Sequence, residues 1–145
     1  MSKQIYFEDV KEGQEIPALE KQVTTVTLLM YLAATWLTDR IHFDYPFATE
    51  KRGLPGAVAP GNMAVDWLAQ LMCDWAGEKG ELRKLSTQNR GFIVAGDTIS
   101  CGGQVTSKYI EDSRGFVECE LWIKNQRGET CVPGKATVEL PMRQR

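Results

Sequence analysis

The feature that most narrows the fold is a change of pattern near residue 80. From 61 to 77, "GNMAVDWLAQLMCDWAG" places Ala64, Leu68, Leu71, Met72 and Trp75 on one stripe at helical spacing, and Gly77 ends it. Beyond it the chain alternates and is broken by glycine. Four stretches read as strands: "ELRKLSTQNRG" (81–91), "DTISCGGQVTSKYIE" (97–111), "RGFVECELWIKNQ" (114–126) and "ETCVPGKATVELP" (129–141). Phe116 to Ile123 show the period-two pattern of a half-buried antiparallel strand. "EDSRG" and "NQRGE" carry hairpin-turn chemistry, and Pro133 predicts a bulge or an edge in the last strand. One long apolar helix followed by a long-stranded meander predicts an α+β domain. The sheet should pack on the helix and curl around it, with Trp67 and Trp75 in the core.

Ahead of that helix, "EIPALEKQVTT" (15–25) reads as extended and leads into a helix over 25–37. Thr24 or Thr25 can cap it, and Leu28, Leu29, Leu32 and Trp36 fall on one face. "DYPFATEKRG" (44–53) predicts a short helix with Asp44 as its N-cap, Pro46 in its first turn and Gly53 as its stop. "GLPGAVAPG" (53–61) is a loop, without the Lys-Ser/Thr ending of a phosphate loop.

Composition narrows the function classes. At 145 residues, with 43% apolar and 25% charged residues, one globular domain is expected. A formal charge of −2 supplies no basic field, which argues against a nucleic-acid partner and against an electrostatic membrane anchor. "VTLLMYLAATWL" is too short to span a bilayer, and the N-terminus lacks the apolar run of a signal peptide. The four cysteines are scattered and there is one histidine, so neither a zinc site nor a disulfide framework is expected. A reduced, cytoplasmic domain with no metal and no membrane association is the reading.

The lone histidine, His42, stands in "TDRIHFDYPFA" (38–48) between Asp39 and Asp44. An imidazole is the side chain best able to take or give a proton near neutral pH; the structural alternative is a hydrogen-bonded ring. Asp39 could fix its tautomer, cap a turn or pair with Arg40. The N–H groups of Gly61 and Asn62, at a helix N-terminus, are polarised to receive negative charge on an oxygen. Asn62, Asp66, Gln70 and Asp74 recur every four residues opposite the apolar stripe, as a solvated face would, and Asp66 is also a candidate acid.

These residues carry a resemblance. "IHFDYPFATEKRGLPGAVAPGNM" (41–63) resembles the hydratase motif of the MaoC-like hydratases of the hot-dog superfamily: a histidine, an Asp two residues on, an Ala, then a glycine loop into the central helix. "YFEDVKEGQEIP" (6–17) and "VAGDTISCGGQVTSK" (94–108) are similar to that family's opening and to its Pro-Gly-Asp-Thr strand start. The resemblance implies one hot-dog domain across 1–145, a curved antiparallel sheet wrapped around one long central α-helix. It implies hydration of a trans-2-enoyl-CoA, or dehydration of a 3-hydroxyacyl-CoA, without a cofactor. His42 and Asp39 would be catalytic, Gly61 and Asn62 would hold the thioester oxygen, and sheets would join edge to edge in a homodimer or larger oligomer. Two departures stand out. The family's usual acid, five residues before the histidine, is Leu37 here, although "RIHFD" (40–44) resembles branches with Arg-Ile-His-Tyr-Asp; and Pro60-Gly61 stands where His-Gly is usual. Leu37 leaves open a catalytically degenerate acyl-CoA-binding subunit working beside a heteromeric hydratase partner. Asp66 leaves open a thioesterase.

Overall fold

The pattern change near residue 80 marks the passage from the central helix to four of the five strands that wrap it; the first strand precedes the helix. A computed structural model describes residues 3–143; Met1 and Ser2, on which the reading of the N-terminus partly rests, lie outside them. Strands β1 (Glu15–Gln22), β2 (Glu81–Thr87), β3 (Thr98–Glu111), β4 (Arg114–Lys124) and β5 (Thr130–Leu140) form one antiparallel sheet in the order β1-β3-β4-β5-β2. Helix α2 (Gly61–Ala76) touches all five strands. The architecture is the α+β hot-dog arrangement.

The sheet curves because its registers slip. Every neighbouring pair contains a register shift, and an unpaired residue bends and twists the strand that carries it. In β1 the shift falls between Ile16 and Leu19, around Pro17, which lacks a ladder donor. Asp112 and Ser113 close the β3–β4 hairpin with φ of 48° and 62°, a two-residue turn whose twist matches that of the strands. At the β4–β5 turn, Asn125 Oδ1 accepts the N–H groups of Arg127 and Glu129.

Pro133 pairs in register with Trp122 and makes no bulge itself. Strand β5 lies between β4 and β2, so Pro133 is not on a sheet edge either; it sits just past the last pair of the β2–β5 ladder, Thr87 with Gly134. Strand β2 stops at Thr87, short of the expected Gly91. The chain beyond stays tied to β5: Gln88 N–H donates to Pro133 O at 3.0 Å, and the Arg90 and Gly91 N–H groups both donate to Cys131 O.

Helix α2 buries Met63, Ala64, Trp67, Leu68, Leu71, Met72 and Ala76, while Asn62, Asp66, Gln70 and Asp74 are exposed, as the periodicity predicts. Truncating a side chain as enclosed as Leu68 to alanine costs about 2–5 kcal/mol at such positions. Helix α1 (Thr25–Thr35), capped by the Thr24 hydroxyl accepting Thr27 N–H, departs from expectation. Leu28 and Leu32 are buried, but Leu29 is exposed and Trp36, 87% exposed, sits past the helix end in the left-handed region. The segment from Val23 to Thr38 has no charged residue, so its spacing does not single out one face. Within the expected 44–53 helix, Tyr45 and Pro46 lead into one wide π-type turn, Phe47–Lys51; Asp44, ahead of them, accepts Phe47 N–H at 3.1 Å. No helix among the described residues is long and apolar enough to cross a membrane.

Candidate active site

His42 ends a 3₁₀ turn, Arg40–His42, that local bonds hold on both sides. Asp39 Oδ1 accepts Ile41 N–H at 3.2 Å, and Asp39 O accepts His42 N–H. Arg40 then reaches forward to the Asp44 carboxylate at 2.6 Å. That guanidinium, with the N–H of Phe47, holds the Asp44 carboxyl below the usual carboxylate range.

The turn is docked onto one residue of the loop before α2. Val58 N–H donates to Ile41 O at 3.1 Å, and His42 Nδ1 lies 2.7 Å from Val58 O. A carbonyl oxygen only accepts, so a neutral ring carries its proton on Nδ1 and leaves the lone pair on Nε2. Val58 is held in turn by a bridge to Val94, flanked by Ala59 N–H to Ile93 O at 2.7 Å and Ala95 N–H to Ala57 O at 3.1 Å. Asp97, 4% exposed, accepts Val94 N–H at 3.0 Å and the Gln126 amide at 2.9 Å. The Gly-Asp-Thr stretch is thus a buttress three contacts from the histidine, through Val94 and Val58.

His42 and Gly61 line one cavity of about 210 Å³. Its walls include Ile41, Val58, Ala64, Ile93 and Val132, with the exposed ring of Phe92 beside them. Among the described residues, only His42 and Asn89 contribute polar side chains to this cavity. The first N–H bonded within α2 is that of Met63, to Pro60 O at 3.0 Å, so the N–H groups of Gly61 and Asn62 are free ends of the helix dipole. A larger cavity, about 470 Å³, lies near the other end of α2 between Ile5, Leu19, Leu71 and Trp75, with Glu15 and Asp74 also in its wall; it contains no histidine and no helix N-terminus.

The other candidate residues stand apart from this cavity. Asp39 is exposed and spends one carboxylate oxygen on its own turn. Asn62 is exposed at the start of α2, and its side chain is not part of the wall. Asp66 lies on the outer face of α2, where it accepts the Tyr31 hydroxyl at 2.9 Å. Burial, then the Asp66 partnership, pushes the Tyr31 phenol up to about 12. Leu37 is exposed and is likewise not in the wall. Sequence reasoning missed Asn89, absorbed into a strand; the only signal was the turn-prone "NRG" interrupting the alternation. Among the described residues, no group of three His, Cys, Asp or Glu side chains is placed to hold a metal ion.

No family model matches the sequence, and no curated protein matches it. Solved structures do match. R-hydratase PhaJ1 from Pseudomonas aeruginosa superposes with a TM-score of 0.86 at 16% identity, over 97% of this chain and 88% of that one. The MaoC-like dehydratase from Rhodospirillum rubrum gives 0.83 at 18% identity, over 97% and 99%. A chain of the ChsH1-ChsH2 complex from Mycobacterium tuberculosis gives 0.78 at 19% identity, over 92% and 98%. The fold is that of the MaoC-like dehydratases and (R)-hydratases.

Proposed function

We propose that this chain adds water to a trans-2-enoyl-CoA, or runs the reverse dehydration of a 3-hydroxyacyl-CoA. The observation that carries the reading is the orientation of His42. With Nδ1–H given to Val58 O, Nε2 keeps its lone pair, and the His42 side chain lines an apolar cavity that also takes in the first residue of α2. Nε2 takes a proton from water as the water oxygen bonds to the β-carbon. The displaced electron pair moves through the double bond onto the thioester oxygen, where the N–H of Gly61, the first helix residue and part of the cavity wall, receives the charge. The imidazolium then delivers the proton to the α-carbon, so one histidine serves as base and acid. Asp39 acts through the turn it caps, as a positioning residue for the ring. Asp66 remains a helix-face residue paired with Tyr31. The fold shared with PhaJ1, an R-hydratase, supports this reading.

One observation favours a second reading. Among the described residues no carboxylate lines the cavity, and Leu37 occupies the usual acid position, which suits an acyl-CoA-binding subunit whose partner supplies the acid. A fold neighbour taken from a two-component complex is in keeping with it. In either case β1 and β2 are sheet edges available for pairing, and we expect a homodimer, a larger homo-oligomer or a heteromer. Four unpaired thiols suit a reducing compartment such as the cytoplasm.

The test is incubation of the purified chain with trans-2-enoyl-CoA substrates of graded chain length, followed by mass analysis of the thioester. Gain of one water, abolished in His42→Ala, supports the hydratase. Binding of every substrate without gain of water favours the subunit reading.

A further inference from the structure

The geometry points to Asn89 as a second oxyanion donor: its carboxamide N–H, beside the N-terminus of α2, donates to the thioester oxygen together with the backbone N–H groups there. The inference rests on the hydratase reading above and assigns the other polar side chain of that site.

Three observations converge on Asn89. Its backbone is held in place by its neighbours: β2 has ended at Thr87, yet Gln88 N–H donates to Pro133 O at 3.0 Å and Arg90 N–H to Cys131 O at 2.9 Å. Residue 89 is therefore pinned between two anchored residues while lying outside the regular ladder. Its side chain packs on the head of the helix. A Cβ built on Gly61 would stand 2.5 Å from Asn89 Nδ2 and 3.4 Å from its Cγ, so the amide occupies the space that any side chain at 61 would need. Among the described residues the carboxamide has no hydrogen-bond partner, and it lines the same cavity as His42.

The chemistry explains why an amide suits this place. In hydration, negative charge builds on the thioester oxygen, and donors fixed in advance at that oxygen stabilise the transition state more than the ground state. The end of α2 supplies backbone donors, and Asn89 adds one more without adding charge. With no carboxylate in the wall among the described residues, the enolate is held by neutral donors and the proton traffic is left to His42. Gly61 matters for a reason besides backbone freedom: its missing side chain is the seat of Asn89.

The experiment combines kinetics with vibrational spectroscopy on Asn89→Ala, Asn89→Asp and Gly61→Ala. Loss of one such donor lowers kcat by about 10²–10³-fold with little change in KM. Asn89→Ala should show that loss, and Asn89→Asp, which puts a carboxylate against the enolate, at least as much. Gly61→Ala should still fold, because alanine favours helix and the Asn89 side chain, at the surface, can swing aside. It should lose activity like Asn89→Ala, and the double variant should lose no more. The readout independent of turnover is the infrared carbonyl band of bound butyryl-CoA, a saturated thioester that cannot be hydrated. The band should lie at lower frequency on the wild type than on Asn89→Ala. Asn89→Ala with kcat within about threefold of wild type and an unmoved band overturns the assignment and leaves the hydratase standing. A wild type that does not turn over any substrate overturns the hydratase reading, and the band then decides for or against Asn89 as a carbonyl donor by itself. Failure of the thioester to bind overturns both.

Discussion

Replacing His42 by asparagine separates its two tasks. An asparagine amide nitrogen falls close to the place of imidazole Nδ1, so the bond to Val58 O, 2.7 Å long in the native chain, can be remade while nothing remains at Nε2. Alanine removes both. Val58 is only 4% exposed, and a hydrogen bond of this kind contributes about 1 kcal/mol net. For a chain of this size that corresponds to roughly 3 °C in Tm. The lost proton transfer is far larger, about 10²–10⁴-fold in rate, or about 3–5 kcal/mol of barrier. His42→Asn should therefore melt with the wild type and His42→Ala some 3 °C lower, while both lose turnover alike. Thermal unfolding by circular dichroism and initial hydration rates over a range of enoyl-CoA concentrations measure the two effects separately. Turnover of His42→Asn within about tenfold of wild type would refute the base at Nε2. Equal melting of the two variants would refute a stabilising tie to Val58.

Other parts of the structure give predictions of their own. A Cβ at Gly115 would stand 2.6 Å from the Phe7 ring, so Gly115→Ala should destabilise by about 1–3 kcal/mol in urea unfolding; an unchanged midpoint would contradict that packing. The Tyr31 phenol is raised from its ordinary value of 10 to about 12, by burial first and the Asp66 hydrogen bond second. The fold favours the neutral phenol, so this contribution is whole below pH 10 and is lost as pH climbs towards 12. The stability difference between wild type and Tyr31→Phe should shrink across that window, and a flat difference would contradict it. Burial pushes the Cys101 and Cys119 thiols up to about 11 and about 12, and raises Cys131 as well, whereas Cys73 is exposed. A thiol reagent at mildly alkaline pH should label Cys73 alone in the folded chain and all four cysteines in denaturant; a second fast-reacting thiol would show the core to be open.

What could be read from the sequence follows physical lines. Helix α2 is legible because its polar and apolar faces differ sharply, with Leu68 and Met72 on one side and Asp66 and Gln70 on the other. Helix α1 is legible as a helix but not in orientation, since Leu29 and Trp36 are as apolar as the buried Leu28 and Leu32. The end of β2 is hidden because polar residues continue past Thr87 while the ladder gives way to single bonds to β5. In the candidate site, His42 draws attention as the lone histidine. Its tautomer does not, because the fixing partner is a backbone carbonyl on another loop, and carbonyls carry no sequence signature. Asn89 is invisible for a related reason: its meaning comes from a glycine on a different element, whose empty side it fills.

The most direct test of the central claim is to follow the fate of one enoyl-CoA in one reaction with the purified chain. Conjugated-enoyl absorbance, free thiol and 3-hydroxyacyl-CoA would be measured together. For a hydratase, absorbance should fall, 3-hydroxyacyl-CoA should appear in matching amount and no thiol should be released. Release of free thiol, or absorbance unchanged at saturating substrate, would contradict the hydratase reading.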